Sequence, residues 1–143
     1  MEWSKLVPEL TVTDFNASLT FYTQVLGFKL AFSRENASGE PVFAYLDREG
    51  IQLMLEAAPS SWPVAELTKP YGRGINIQIE WPDVTQLRDT LMQLAYPLYR
   101  DIEESWRETG TTLSGAREFL VQDPDGYLLR FSQDLGERAK ALA

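Results

Sequence analysis

From Leu6 to Val12 the chain alternates apolar and polar positions closely enough to predict a strand. Asp14 then fits a helix N-cap, its carboxylate accepting from backbone N–H groups one turn on. Phe15, Leu19, Tyr22 and Leu26 follow at spacings of four, three and four, which puts them on one face of a helix. Gly27 can take the left-handed conformation that closes such a helix. From Phe28 to Arg34 the pattern returns to a strand. PVFAYLD and IQLMLE predict two more, joined by a turn at Arg48-Glu49-Gly50. The first half therefore reads strand, helix, three strands.

The second half repeats that order. GINIQIE sets Ile75, Ile77 and Ile79 on one strand face and Asn76 and Gln78 on the other. Asp83 caps a helix carrying Val84, Leu87, Leu91 and Leu94, and YPLYRDIE, AREFLVQ and YLLRFSQ supply the following strands. The capping Asp recurs 69 residues on, a period long enough to be a whole supersecondary unit. Between the halves, AAPSSWPVAELTKPYGRG holds three prolines and two glycines and reads as a linker. The expected organisation is one domain over residues 1–143, with a first module at 5–56, a linker at 57–73 and a second module at 74–133. One such module leaves a face of its sheet bare, so two should pair, and the protein could dimerise as well. Asp123-Pro124-Asp125-Gly126 has the residues of a tight turn, and no role beyond hairpin chemistry is expected of it.

Composition changes the picture mainly by what it removes. With 44% hydrophobic and 24% charged residues the chain is an ordinary globular one, and no apolar run approaches the length of a membrane span. MEWSKLVPEL lacks a basic stretch leading into an apolar core, so no secretory signal is expected and the cytoplasm is the default location. There is no Cys, which removes disulfides, thiolate nucleophiles and sulfur-ligated metals. There is no His, which removes imidazole ligation and His-based triads. The net charge of −8 and the scattered Lys and Arg residues exclude nucleic acid as an expected partner and favour a cationic small molecule.

The two β-α-β-β-β units, with VTDFNASLTFYTQVLGF in the first and GAREFLVQDPDGYLLRF closing the second, resemble the glyoxalase/bleomycin-resistance/dioxygenase (vicinal oxygen chelate) superfamily. The resemblance runs from Lys5 to Gln133 and implies an α+β fold in which two βαβββ modules form curled mixed sheets around a cavity. It also implies that metal-using members would take ligands at the positions of Val7, Asn76 and Arg130 here. Val7 cannot ligate, and Arg130 stands where the enzymes place a Glu, its permanent charge opposing a cation. What remains resembles the bleomycin-resistance branch, whose members bind the drug stoichiometrically, without catalysis, in crevices at a dimer interface. In that branch a proline marks an N-terminal arm exchanged between subunits, here Pro8. Its stacking aromatics map to Phe32 and Phe43, whereas the Trp that drug-binding members carry before GREF is absent, the nearest being Trp106.

These considerations assemble an expected ligand-binding set of Phe32, Phe43, Tyr45, Trp62, Asn76, Trp106, Glu118 and Arg130, with no metal, no cofactor and no catalytic residue. Phe32, Phe43 and Tyr45 suit a sheet core first and a stacking platform second. Trp62 and Trp106 lie in polar, turn-rich segments, where a large ring suits an interface or a pocket lid. Arg130 could pair with Glu118 or Glu9, or present its planar donor fork to a ligand. Asp101, Glu103, Glu104 and Glu108 form an acidic stretch best read as a solvated face. The leading expectation is a metal-independent protein that sequesters a planar, cationic or glycopeptide antibiotic-like ligand as a homodimer, with no nucleic-acid or membrane partner. The alternative is a metal-independent enzyme of the same superfamily using Glu118 or Tyr127 near Arg130 for proton transfer. A third is a module whose cavity is filled by its own side chains.

Overall fold

Each half forms a four-stranded mixed sheet in the computed structural model, which describes residues 1–140. The N-terminal unit comprises Met1–Tyr71 together with the turn Asp123–Gly126. It runs β1 (Glu9–Val12), α1 (Phe15–Thr20), a π-helical turn (Phe21–Val25), β2 (Lys29–Glu35), β3 (Pro41–Arg48) and β4 (Ile51–Ala57). Its strand order is β1-β4-β3-β2, with β1 parallel to β4 and the other pairs antiparallel. The C-terminal unit takes Gly72–Gln122 and the chain from Tyr127 onward. It runs β5 (Ile77–Glu80), α2 (Val84–Gln93), β6 (Arg100–Thr109), β7 (Thr112–Gln122) and β8 (Leu128–Ala139), in the order β5-β8-β7-β6 with β5 parallel to β8. The two units share one topology and the expected α+β class. No helix among the described residues is long and apolar enough to cross a membrane.

The repeated aspartates cap both helices. Asp14 Oδ1 accepts from Ala17 N and Asp83 Oδ1 from Gln86 N, each at 3.1 Å. The first helix differs from a regular 3.6-residue helix. Leu26 N donates to Phe21 O, five residues back, and Phe28 N to Tyr22 O across Gly27 at φ 77°. The wider turn brings Phe21 to the buried side with Phe15, Ser18, Tyr22 and Leu26 and leaves Leu19 half-buried. In the second helix Val84, Leu87 and Leu91 are buried, but Leu94 is the exposed C-cap. Ile75 lies outside β5 and is exposed.

One face of each sheet is buried by its helix. In the N-terminal unit this face carries Leu10, Val12, Ala44, Leu46, Leu53 and Leu55; in the C-terminal unit it carries Ile79, Phe119, Val121, Leu129 and Phe131. Because side chains alternate along a strand, the intervening residues are committed to the other face. That open face is where a site can be built.

The turn at Asp123–Gly126 does more than close the β7–β8 hairpin. Asp123 and Asp125 are 4% and 2% exposed. Tyr22 donates its hydroxyl to Asp123 Oδ2 at 2.7 Å, and Asp125 N donates to Asp123 Oδ1 at 2.9 Å. Asp125 accepts from the backbone N–H and hydroxyl of Thr13 and lies 3.4 Å from Lys69 Nζ. Two buried carboxylates therefore pin the turn to the π-helical turn, through Tyr22, and to Thr13 just after β1 of its own unit.

Candidate ligand-binding site

The open face of the N-terminal sheet is aromatic. Strand register lines up Glu9, Met54, Tyr45 and Phe32 in one row, and Thr11, Glu56, Phe43 and Arg34 in the next. Phe32 stacks on Tyr45 with centroids 5.3 Å apart and lies 5.9 Å from Phe43. Trp3 from the N-terminal arm stands edge-on to Tyr45 at 5.0 Å and to Phe32 at 6.1 Å. The Arg34 guanidinium lies over Phe43 at 4.6 Å and Phe32 at 5.5 Å. At an exposed position such a contact contributes about 0.5–1 kcal/mol.

Phe32, Arg34, Phe43 and Tyr45 line a hollow of about 780 Å³ together with Glu9, Met54, Glu56 and Trp62. Trp62 is 69% exposed, an unusual state for an indole unless something covers it. Ser60 positions this rim: its hydroxyl donates to Glu56 Oε2 at 2.9 Å and accepts from Trp62 N at 3.3 Å. The Glu9 carboxyl is held above its ordinary value by partial burial and by the neighbouring Glu56 carboxyl, against the lowering effect of Arg34.

The N-terminal arm is docked on its own unit. Ser4 N donates to Gln52 Oε1 at 2.8 Å, Gln52 Nε2 donates to Glu2 O at 2.7 Å, and Met54 N donates to Pro8 O at 2.9 Å. Gln52, itself buried, is bonded also to Tyr45 and Asp47. The arm thus sets Trp3 against the aromatic face.

The open face of the C-terminal sheet is polar. Arg130 lies opposite Leu129 and Phe131 and is half-buried. Its Nη2 donates to Gln78 Oε1 at 2.6 Å, and its Nε lies 3.5 Å from Glu118 Oε2 without hydrogen-bond geometry. Of the two carboxylates considered for Arg130, the partner is Glu118. Glu118 and Arg130, with Asn76, Arg100, Glu103 and Arg107, line a hollow of about 400 Å³.

Of the expected ligand set, Phe32, Phe43, Tyr45 and Trp62 line the first hollow, and Asn76, Glu118 and Arg130 line the second. Trp106 lines neither. It sits within β6 rather than on a loop, and Ser105 and Arg107 beside it take the hollow face, so its ring points away. The ring covers Gly115, where a Cβ would meet it at 2.6 Å, and Arg138 lies 4.1 Å over it. The polar segment around Trp106 pairs because β6 and β7 continue to a hairpin at Gly110, φ 74°. Tyr127, considered for proton transfer, is buried against Gly72.

Trp3, Arg34 and Glu56 were not anticipated as site residues. For Arg34 and Glu56 the signal lay in strand parity, since Arg34 is two residues from Phe32 on β2 and Glu56 follows the buried Leu55 on β4. Trp3 carried no such signal, because its place depends on side-chain bonds to Gln52.

The positions that the resemblance assigns to metal ligands do not fit a cation. Val7 has no donor, and Arg130 is a cation already engaged with Gln78 and Glu118. Among the described residues no group of three or more acidic side chains is placed so that it could hold a metal ion instead.

A family model described as Glyoxalase/Bleomycin resistance protein/Dioxygenase superfamily matches residues 6–131. A protein of Vibrio cholerae serotype O1 named "Probable lactoylglutathione lyase" is 29% identical over 130 residues, covering 87% of this chain and 86% of the relative. Among solved structures, TioX from Micromonospora sp. ML1 aligns with a TM-score of 0.70 at 20% identity, over 92% of this chain and 100% of that one. Lactoylglutathione lyase from Agrobacterium tumefaciens aligns with a TM-score of 0.56 at 15% identity, over 91% and 93%. At these identities the structural matches bear on the fold alone.

Proposed function

The chain belongs to the Glyoxalase/Bleomycin resistance protein/Dioxygenase superfamily, and from that premise we propose a metal-independent small-molecule-binding protein of the bleomycin-resistance type. It sequesters an antibiotic-like ligand and does not turn it over. The observation that carries this reading is the hollow in which Phe32, Phe43 and Trp62, backed by the buried Tyr45, offer stacking surface beside the Glu9 and Glu56 carboxyls. Flat rings supply area at low entropic cost, and the carboxyls favour a positively charged ligand. In this reading the chain acts as a homodimer, a second copy covering the ligand on its open side. The contacts of Gln52 with the arm could equally be made by a partner's arm, exchanged at Pro8.

The second reading is an enzyme, favoured by the 29% identity to the relative named "Probable lactoylglutathione lyase". Val7 and Arg130 weigh against its metal-dependent form, because neither can hold the ion that polarises a substrate oxygen. Tryptophan fluorescence during addition of copper-free bleomycin to EDTA-treated protein separates the two. Lactoylglutathione formation from methylglyoxal and glutathione is followed in parallel, with and without added nickel or zinc. Saturable quenching near one drug per chain, without product, is expected. Metal-dependent product formation, or no response to millimolar drug, overturns the sequestration reading.

A further inference from the structure

We propose that Arg34 is a resident competitor for the aromatic hollow: a planar cationic ligand enters by displacing its guanidinium from Phe32 and Phe43 and is held by the Glu9 and Glu56 carboxyls. This rests on the binding reading above, names its ligand class, and adds a mechanism of entry.

The first support is the guanidinium itself. It is a flat, delocalised and weakly hydrated cation, and it lies 4.6 Å over Phe43 and 5.5 Å over Phe32. The rings therefore already accept an ion of this shape and charge. Arg34 is exposed on β2, an edge strand paired only with β3, so its long side chain can swing into solvent without disturbing the sheet.

The second support is what lies beside those rings. Register sets Glu56 next to Phe43, and Glu9 opposite Met54 in the adjoining row. Ser60 holds one Glu56 oxygen, which fixes that carboxylate at the wall of the hollow. The charged and titratable groups facing Glu9 across the hollow are Arg34 and Glu35 from β2, Tyr45 from β3 and Glu56 from β4. The Arg34 guanidinium thus lies in a hollow that the Glu9 and Glu56 carboxyls also line, and a ligand cation that replaces it meets the same charge while adding stacking area.

The test uses proflavine, a planar cation, titrated by fluorescence into the full chain after EDTA treatment, with 9-anthracenecarboxylate as the planar anion. Arg34→Gln should bind proflavine about threefold to fivefold tighter than the parent. Glu56→Gln should bind about fivefold weaker. The anion should bind neither more tightly than proflavine. If Arg34→Gln leaves proflavine affinity unchanged or weakens it while the parent still binds, displacement is wrong and sequestration stands. If the parent binds neither proflavine nor bleomycin, the sequestration reading itself falls.

Discussion

Replacing Tyr22 by Phe removes one hydroxyl and little else, which makes it a clean probe of how the Asp123–Gly126 turn is held. Tyr22 is fully buried, and its hydroxyl reaches Asp123 Oδ2 at 2.7 Å, where Asp123 is itself only 4% exposed. Phe fills nearly the same volume, so no cavity term is expected. What is lost is a hydrogen bond to a buried carboxylate, worth about 1.5–3 kcal/mol. Asp123 keeps its bond from Asp125 N, which places the estimate toward the middle, about 2 kcal/mol. For a chain of this length that is a fall in Tm of roughly 4–8 °C. Urea denaturation provides the assay, with the midpoint falling at constant m if the native contact alone has changed. A variant within about 0.5 kcal/mol of the parent would refute the reasoning, because that is the range of an inconsequential surface change. The turn would then be hairpin chemistry and no anchor.

Other consequences concern charge and close approach. The stability that Glu9 contributes is fully present below about pH 4.5 and is lost as pH rises through its raised value. Glu9→Gln should therefore match the parent near pH 4 and melt higher at pH 7, whereas a pH-independent difference contradicts the assignment. Gly126 adopts φ +101°, and an added Cβ would lie 2.5 Å from Pro70 Cβ and 2.7 Å from its Cα. Gly126→Ala should cost about 2 kcal/mol or more in a denaturant titration, and a neutral result would mean that the Pro70 segment yields freely. Glu118→Gln removes the charge facing Arg130 where the side chains are 16% and 30% exposed. It should destabilise by about 1 kcal/mol, between a screened surface pair and a buried one, and no change would mean that water screens the pair fully.

Local rules reach a long way in this chain. The two capping aspartates, the glycine after the first helix and the alternation in β1, β3, β4, β7 and β8 sufficed for both modules and for the family resemblance, because each depends on near neighbours. The discrepancies arise where distant groups decide. The π-helical turn moved Phe21 to the buried side in place of Leu19. Trp106 read as a loop residue because β6 and β7 are polar there, and only their pairing across Gly110 turns the segment into strand. The anchoring role of Asp123 and Asp125 depends on Tyr22 and Thr13, more than a hundred residues earlier. In the site, Phe32 and Phe43 were legible through the family resemblance and Trp62 through its polar, turn-rich segment, whereas the place of Trp3 depends on Gln52 holding the arm.

The central claim is that a ligand binds the aromatic face of the N-terminal sheet without a metal. Amide chemical-shift mapping of the ¹⁵N-labelled, EDTA-treated chain during addition of copper-free bleomycin tests it most directly. The account predicts shifts concentrated at Phe32, Arg34, Phe43, Tyr45, Glu56 and Trp62, saturating together. Shifts confined to Asn76, Glu118 and Arg130, or seen only after nickel or zinc is restored, would contradict it.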